Sequence, residues 1–199
     1  MSRVALVTGA SRGLGECIAR RLHGAGYRVA LADVRLDGVR RLAAELDASG
    51  ASAIAIELDV RSKSDFQHAR DVLVEHWGGC DILVNNAGVS KVAALMDITP
   101  EEFDESMAIN LRGTFVACQV FGAHFAERGF GRIVNIASLA GQNGATATGA
   151  HYAAAKGGVA TLTKVFAREL APQGVTVNSI SPGPLDLPVV RETVAPERV

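Results

Sequence analysis

The sequence predicts an α/β fold in which a doubly wound parallel sheet carries helices on both faces. Short runs rich in β-branched residues alternate with longer segments of helical periodicity, the pattern of repeated β-α-β units. Most of these runs are continuously apolar, as strands buried on both faces of a parallel sheet are. Right-handed crossovers then favour a strand order of 3-2-1-4-5-6. The strand candidates are residues 4–8, 28–32, 53–58, 82–85, 132–137 and 176–180.

Helix signals lie between the strand candidates. Thr99 can cap a helix that has Pro100 at its first position, and Glu102 can reach back to complete a capping box. An apolar stripe at helical spacing follows the second strand candidate. It consists of Leu36, Val39, Leu42, Ala43 and Leu46.

Composition and charge narrow the class of protein. With 199 residues, of which 48% are hydrophobic and 21% charged, we expect one globular domain over residues 1–199. A formal net charge of -1 offers no long-range attraction to nucleic acid or to an anionic membrane. The cysteines form no metal-binding pair, and neither a signal peptide nor a bilayer-spanning stretch is recognised. We therefore expect a cytoplasmic protein with no metal, no membrane and no nucleic acid as a partner.

A glycine-rich turn, TGASRGLG at 8–15, follows the first strand candidate and opens a helix. Glycines let the backbone approach a pyrophosphate, and the helix N-terminus supplies free N–H groups and partial positive charge. Glycines also form ordinary turns, but this position favours a dinucleotide site and makes the predicted sheet Rossmann-type. Asp33 ends the second strand 18 residues beyond Gly15, near the separation at which an acid can accept from the adenosine ribose. A solvated loop aspartate is the alternative.

Two further loops follow strand ends. Asp59 and Val60 come after the third strand and could contact adenine. Asn85-Asn86-Ala87-Gly88 ends the fourth strand and suits a loop pressed against a cofactor, although such residues also form ordinary turns.

Tyr152 and Lys156 lie four residues apart on a predicted helix, so both project from one face. A lysine ammonium stabilises phenolate, which would lower the pKa of Tyr152 from about 10 toward neutrality, as an acid/base catalyst needs. The pair alone could be a surface pair, but Ser138, after the fifth strand, could polarise a carbonyl oxygen. Asn110 interrupts an apolar helical stretch, either for function or as one buried amide.

These residues share one edge of the predicted sheet, the carboxyl edge, where open α/β sheets bind ligands. The sequence therefore predicts an oxidoreductase that transfers a hydride between NAD(P) and a small-molecule alcohol or ketone. The residues that follow strand ends are Gly9, Asp33, Asp59, Asn86, Ser138 and Pro182.

The ordered motifs resemble the short-chain dehydrogenase/reductase family over essentially the whole chain. They are TGASRGLG at 8–15, NNAG at 85–88, Asn110, Ser138, YAAAK at 152–156 and SPG at 181–183. The 3-oxoacyl-carrier-protein reductase-like branch and the sugar or polyol dehydrogenases are most similar. The resemblance implies that Asn110, Ser138, Tyr152 and Lys156 form a catalytic tetrad. It also implies a homotetramer or homodimer, with the helices around 100–127 and 150–171 between subunits.

Within the tetrad, the resemblance implies that Tyr152 transfers the proton and Ser138 orients the substrate oxygen. Lys156 would hold the nicotinamide ribose and lower the tyrosine pKa, and Asn110 would steady a water. The candidate cofactor-binding residues are Gly9, Ser11, Arg12, Gly13, Leu14, Gly15, Asp33, Asp59, Val60, Asn86, Ala87, Gly88, Tyr152, Lys156, Pro182, Gly183 and Leu185.

The chain departs from the family pattern in two places. Leu187 stands where a threonine often contacts the nicotinamide carboxamide. The chain ends at Val199, whereas the family usually continues for about another strand and helix, within single-domain size. We therefore expect a C-terminal strand to be missing and the sequence to be part of a longer polypeptide.

Two residues bear on the choice of cofactor. Arg12 could pair with the 2′-phosphate of NADP, but the Asp33 carboxylate would repel it and accept from the free hydroxyls of NAD. We expect NAD rather than NADP. The alternative functions are a catalytically weak or inactive NAD(P)-binding regulatory relative, and an isomerase or lyase that uses transient oxidation.

Overall fold

The computed structural model describes residues 2–144 and 148–185, and these form a six-stranded parallel sheet in the order β3-β2-β1-β4-β5-β6. This order confirms the predicted doubly wound sheet, because β2 and β3 are added on one side of β1, whereas β4, β5 and β6 are added on its other side. The strands are β1 (Val4–Thr8), β2 (Arg28–Asp33), β3 (Ala53–Glu57), β4 (Ile82–Asn85), β5 (Gly131–Ile136) and β6 (Val175–Ile180).

Helices cover both faces of this sheet. They are α1 (Gly13–Gly24), α2 (Leu36–Leu46), α3 (Lys63–Trp77), α4 (Pro100–Met107), α5 (Gly113–Glu127), the short α6 (Ala140–Asn143) and α7 (Ala150–Leu170). Helices α1 and α2 pack on one face, and α3, α5 and α7 contribute to the core on the other. Leu6 is buried in the core on the side of α3, α5 and α7, and the adjacent Val7 is buried in the core on the side of α1 and α2. Burial on both faces explains why the strands are continuously apolar.

The N-terminus of α4 has the predicted capping box. The backbone N–H of Glu102 donates to Thr99 Oγ1 at 3.2 Å, and the Thr99 N–H donates to Glu102 Oε2 at 3.4 Å. These two bonds satisfy donors that the first helical turn leaves free, and Pro100 needs none. Residues 99–102 thus fix where the helix begins.

A π-helical turn, Ala108–Arg112, connects α4 to α5 without a break. Such turns carry one extra residue and are common at functional sites. Asn110 lies in this turn and is fully buried.

No helix within residues 2–144 and 148–185 is long and apolar enough to cross a membrane. The same ranges contain no group of His, Cys, Asp or Glu side chains that could hold a metal ion.

Candidate active site

The turn between β1 and α1 is held against the loop after β4. Thr8 Oγ1 accepts from the backbone N–H groups of Asn86 and Ala87, each at 3.1 Å. The Asn86 Nδ2 donates to the carbonyls of Thr8 at 2.9 Å and Gly9 at 3.2 Å. A Cβ at Gly15 would lie 2.1 Å from the Gly9 oxygen, so only glycine allows α1 to approach this closely. Two of the predicted loops therefore form one unit at the carboxyl edge.

Asp33 is buried against the glycine-rich turn. Its Oδ2 accepts from the Ser11 N–H at 3.1 Å, and its Oδ1 accepts from the Arg35 N–H at 3.0 Å. The Arg35 Nε lies 3.7 Å from the same Oδ1, a contact that the sequence reasoning missed. The Ser11 hydroxyl is buried and has no hydrogen-bond partner within residues 2–144 and 148–185. A buried, free hydroxyl beside a carboxylate fits the ribose of a dinucleotide, because buried polar atoms are normally paired.

The N-terminus of α1 leaves its first N–H groups open. Arg12 is the N-cap residue, but its side chain is exposed and makes no cap hydrogen bond. Gly9 and Gly13 have φ angles of 65° and 61°, in the left-handed region that favours glycine. Leu14 packs into the core with α2. This open, positively polarised helix end fits a pyrophosphate.

The loop after β3 is arranged around an ion pair. Arg61 donates to Asp59 through Nε and Nη2, the latter at 2.6 Å, and these hydrogen bonds lower the pKa of the Asp59 carboxyl. Val60 packs against the start of α5, where a Cβ at Gly113 would lie 3.0 Å from the Val60 Cβ. Both predicted residues lie at the carboxyl edge, with the Asp59 side chain bound to Arg61.

Gly88 brings two tetrad candidates together. A Cβ at this position would lie 2.7 Å from Asn110 Oδ1 and 3.5 Å from Lys156 Nζ. The Asn110 Oδ1 accepts from the Val89 N–H at 3.0 Å, and its Nδ2 donates to the Val89 carbonyl at 2.9 Å. The Asn110 amide therefore binds the loop after β4 to the π-helical turn. Its oxygen and its nitrogen are both hydrogen-bonded, and the side chain also lies at the site.

Lys156 has an almost completely buried ammonium. Its Nζ donates to the Ile136 carbonyl at 2.7 Å and lies 5.7 Å from the centre of the Tyr152 ring. Burial lowers the pKa of Lys156 to about 8, because desolvation disfavours the charged form. As predicted, Tyr152 and Lys156 project from the same face of α7.

Tyr152 forms a side-chain hydrogen bond with Ser138. Burial nevertheless raises the pKa of Tyr152, and the Ser138 bond opposes that rise only in part. The expected lowering of this pKa by Lys156 is therefore wrong for this arrangement, because the ammonium donates to the Ile136 carbonyl and not to the phenol oxygen. The arrangement can hold a substrate oxygen between a serine hydroxyl and a phenol.

The SPG segment supports the loop that carries Ser138. The Leu139 N–H donates to the Pro182 carbonyl at 2.9 Å, and the Ala137 N–H donates to the Ile180 carbonyl at 2.8 Å. Gly183 is exposed and Leu185 is half-buried at the end of the described residues. Leu187, where a threonine contact was expected to be lost, lies outside them.

The sequence reasoning missed a buried polar network behind these residues. Asn85, Asn135 and Thr163 join β4, β5 and α7 through side-chain hydrogen bonds. An asparagine inside the apolar run of β5 was the available signal, since an unpaired amide there would be costly.

This fold and this site define a dinucleotide-dependent oxidoreductase. The family model described as short chain dehydrogenase matches residues 3–198. The chain therefore belongs to the short-chain dehydrogenase/reductase family, whose members transfer a hydride between NAD(P) and alcohols or ketones.

Named relatives support this assignment. The chain is 40% identical over 182 residues to D-threitol dehydrogenase of Mycolicibacterium smegmatis, which covers 90% of this chain and 69% of the relative. It is 40% identical over 185 residues to sorbitol dehydrogenase of Cereibacter sphaeroides, covering 92% and 71%. It is 38% identical over 184 residues to the 3-oxoacyl-[acyl-carrier-protein] reductase FabG of Staphylococcus epidermidis, covering 92% and 75%.

A solved structure matches the fold as well. A crystal structure described as a short-chain alcohol dehydrogenase from Sinorhizobium meliloti 1021 aligns with a TM-score of 0.87 and 37% identity. The alignment covers 94% of this chain and 74% of that one.

Proposed function

We propose that this protein oxidises a secondary alcohol or reduces the corresponding ketone with NAD, using Tyr152 as the acid/base. The observation that carries the proposal is the hydrogen bond between Tyr152 and Ser138 at the edge of the sheet that holds the glycine-rich turn. The names of the polyol dehydrogenases among the relatives favour a polyol or another small neutral alcohol.

Each tetrad member has a proposed role. The Ser138 hydroxyl orients the substrate oxygen, and the Tyr152 phenol takes or returns its proton. Lys156 places a buried ammonium beside the phenol and leaves N–H groups for the nicotinamide ribose. Asn110 positions the loop after β4 and steadies a water on the proton path. The nicotinamide, when bound, accepts or supplies the hydride.

NAD is the proposed cofactor because the Asp33 carboxylate is buried where the adenosine ribose would bind. Burial strengthens its repulsion of a 2′-phosphate. Arg35 lies next to the carboxylate and reduces this repulsion, so the preference rests on Asp33 outweighing Arg12 and Arg35. Gly9 and Gly13 would hold the pyrophosphate, Ser11 would lie beside the adenosine ribose, and Pro182 and Gly183 would flank the nicotinamide.

We further propose that the protein is a cytoplasmic homotetramer or homodimer. Phe103, Phe115 and Val165 expose 42%, 36% and 52% of their surface on α4, α5 and α7. A cleft on these helices is lined by Met107 and Leu111 among other residues. Apolar helix faces of this kind are covered in stable assemblies. Analytical ultracentrifugation of the protein and of Phe115→Asp tests this, and a monomeric wild type contradicts it.

The catalytic proposal is tested with Tyr152→Phe. Removing the phenol oxygen removes the proton carrier, so turnover with NAD and a panel of polyols and ketones should fall by at least about 1,000-fold. NAD binding, measured by calorimetry, should stay within about threefold, because the adenosine half of the site is untouched. Tyr27→Phe is the matched control and should keep wild-type activity. Full activity of Tyr152→Phe contradicts the assigned role.

A wild type that binds NAD but turns over no substrate of the panel would instead favour the regulatory alternative.

A further inference from the structure

Three buried polar side chains form a directed chain of hydrogen bonds beneath the site. Asn85 Nδ2 donates to Asn135 Oδ1 at 2.8 Å, and Asn135 Nδ2 donates to Thr163 Oγ1 at 2.9 Å. Thr163 Oγ1 donates in turn to the Val159 carbonyl at 2.8 Å. The three side chains are at most 5% exposed, so these bonds form away from water.

The chain of hydrogen bonds joins β4, β5 and α7. Helix α7 carries Tyr152 and Lys156, Ser138 follows β5, and the loop at 86–88 follows β4. Asn85 and Asn135 are direct neighbours in the register of β4 and β5, so their amides pair across the sheet. Asn85 immediately precedes the loop at 86–88. Thr163 lies two helical turns after Lys156, on the same face of α7.

The network lies beside the bond that holds the ammonium. Lys156 Nζ donates to the Ile136 carbonyl, and Asn135 is the residue before Ile136. Strand β5 and helix α7 are therefore joined twice, once by Lys156 and once by the bond between Asn135 and Thr163. The second bond fixes the spacing between strand and helix on which the first depends.

Building on the proposed function, we infer that Asn135 and Thr163 are positioning residues for catalysis: through the β5–α7 spacing they fix Lys156 and the pairing of Ser138 with Tyr152. Both are almost completely buried, so they act through the groups above them. Asn85 extends the same restraint to the loop that carries Gly88. Cys118 adds two weaker bonds to the network: its Sγ accepts from Asn85 Nδ2 at 3.6 Å and donates to Asn135 Oδ1 at 3.7 Å.

Removing one hydroxyl should have a defined effect. Thr163→Val keeps the shape of the side chain but leaves the Asn135 Nδ2 buried with no acceptor, which the surrounding structure relieves by moving. Ser138 and Tyr152 then separate, and the hydrogen bond between them, which lowers the pKa of the Tyr152 phenol, weakens. Small displacements of reacting groups reduce rates steeply.

The experiment compares Thr163→Val and Thr163→Ser with two controls in the full-length protein. Thr161→Val is the matched control, because Thr161 also donates to the carbonyl four residues earlier, Gly157, but receives no bond from Asn135. Ile133→Val controls for lost stability, because it removes a methylene from the same strand without changing a polar group.

We expect Thr163→Val to lower kcat by at least about tenfold, with KM for NAD within about twofold. Thr163→Ser should restore kcat, since it restores the acceptor, and Thr161→Val and Ile133→Val should keep it. The inference is wrong if Thr163→Val keeps the wild-type kcat. It is also wrong if Ile133→Val, with the same loss of Tm as Thr163→Val, lowers kcat by the same factor.

A second measurement does not depend on turnover. The chain has two tyrosines, so carbon-13 at the tyrosine Cζ gives two NMR signals, which Tyr152→Phe assigns. In Thr163→Val the Tyr152 signal should titrate at higher pH than in the wild type, and in Thr161→Val it should not. An unchanged titration overturns the positioning role. A shifted titration in a protein that turns over no substrate would support positioning while refuting the proposed function.

Discussion

Lys156 Nζ donates a 2.7 Å hydrogen bond to the Ile136 carbonyl, two residues before Ser138. In the part of the chain that the structure describes, the ammonium is thus located by backbone and not by an acidic side chain. A carboxylate partner would hold the pKa of Lys156 high, whereas a carbonyl in a buried environment allows burial to lower it to about 8. The charge beside Tyr152 is therefore maintained near neutral pH but is close to titrating.

The stability of the cofactor-free protein should depend on Lys156 in alkaline solution. Between about pH 8 and the ordinary lysine value of 10.5, the folded chain has lost a proton that the unfolded chain still binds. Stability must rise with pH across this window, and the contribution is absent from Lys156→Met. Urea unfolding from pH 7 to 11 measures the difference. Lys164→Met, an exposed position on α7, is the control, and parallel curves for Lys156→Met and the wild type would contradict the prediction.

Gly88→Ala should inactivate the protein while leaving it folded. The new methyl group would lie 2.7 Å from Asn110 Oδ1 and 3.5 Å from Lys156 Nζ, so these groups must separate. We expect kcat to fall by about 100-fold, from a displacement of about 1 Å. Gly24→Ala is the control, because a Cβ there meets nothing within 4 Å. Steady-state kinetics and circular dichroism check the result, and a Gly88→Ala protein with normal kcat would show that the contact is not needed.

Asp33→Ala should relax the preference for NAD. Without the carboxylate, Arg12 and Arg35 remain to attract a 2′-phosphate, so the ratio of kcat/KM for NAD to that for NADP should fall at least about tenfold. Asp37→Ala, an exposed acid in the first turn of α2, should leave the ratio unchanged. A wild type that uses NADP as well as NAD would refute the premise.

His124 should make the folded state sensitive to mild acid. Its Nε2 accepts from the Cys80 N–H at 3.2 Å, and burial, followed by Arg128 and Arg70, lowers its pKa below the ordinary 6.5. As pH falls below about 6.5 the unfolded chain binds the proton first, so stability falls. His124→Gln should lose less stability than the wild type between pH 7 and 5 in denaturant titrations. His68→Gln, at an exposed position on α3, should behave as the wild type does, and an equal loss in His124→Gln would contradict this origin.

The fold was predictable because its signals are local. Strands buried on both faces are apolar throughout, and turn residues lie at their ends. The observed strand bounds therefore differ from the predicted bounds by no more than one residue at either end. The alternation of strands with helices then indicated the strand order. The capping box at Thr99 was visible for the same reason. Tertiary contacts had no such signal. Arg35 next to Asp33, and Thr163 next to Asn135, are pairs that only the folded chain creates.

The site was predictable in position but not in electrostatics. Parallel strands place their carboxyl ends along one edge, so residues after those strands had to meet. The pKa of Tyr152 depends on how deeply the phenol is buried and on where the neighbouring ammonium donates, and spacing along a helix determines neither. The sign of that shift therefore could not follow from Lys156 lying four residues away.

The π-helical turn at Ala108–Arg112 has a geometric consequence for the long helical segment from Pro100 to Glu127. One surplus residue sets the azimuth of everything after it back by about 100° relative to an uninterrupted α-helix, the angle that one α-helical residue subtends. Asn110 can then face the loop after β4 while Gly113 faces Val60. The buried faces of α4 and α5 therefore point in different directions, although the two helices are continuous. A single helical periodicity of hydrophobic residues fitted across both segments would average these two directions.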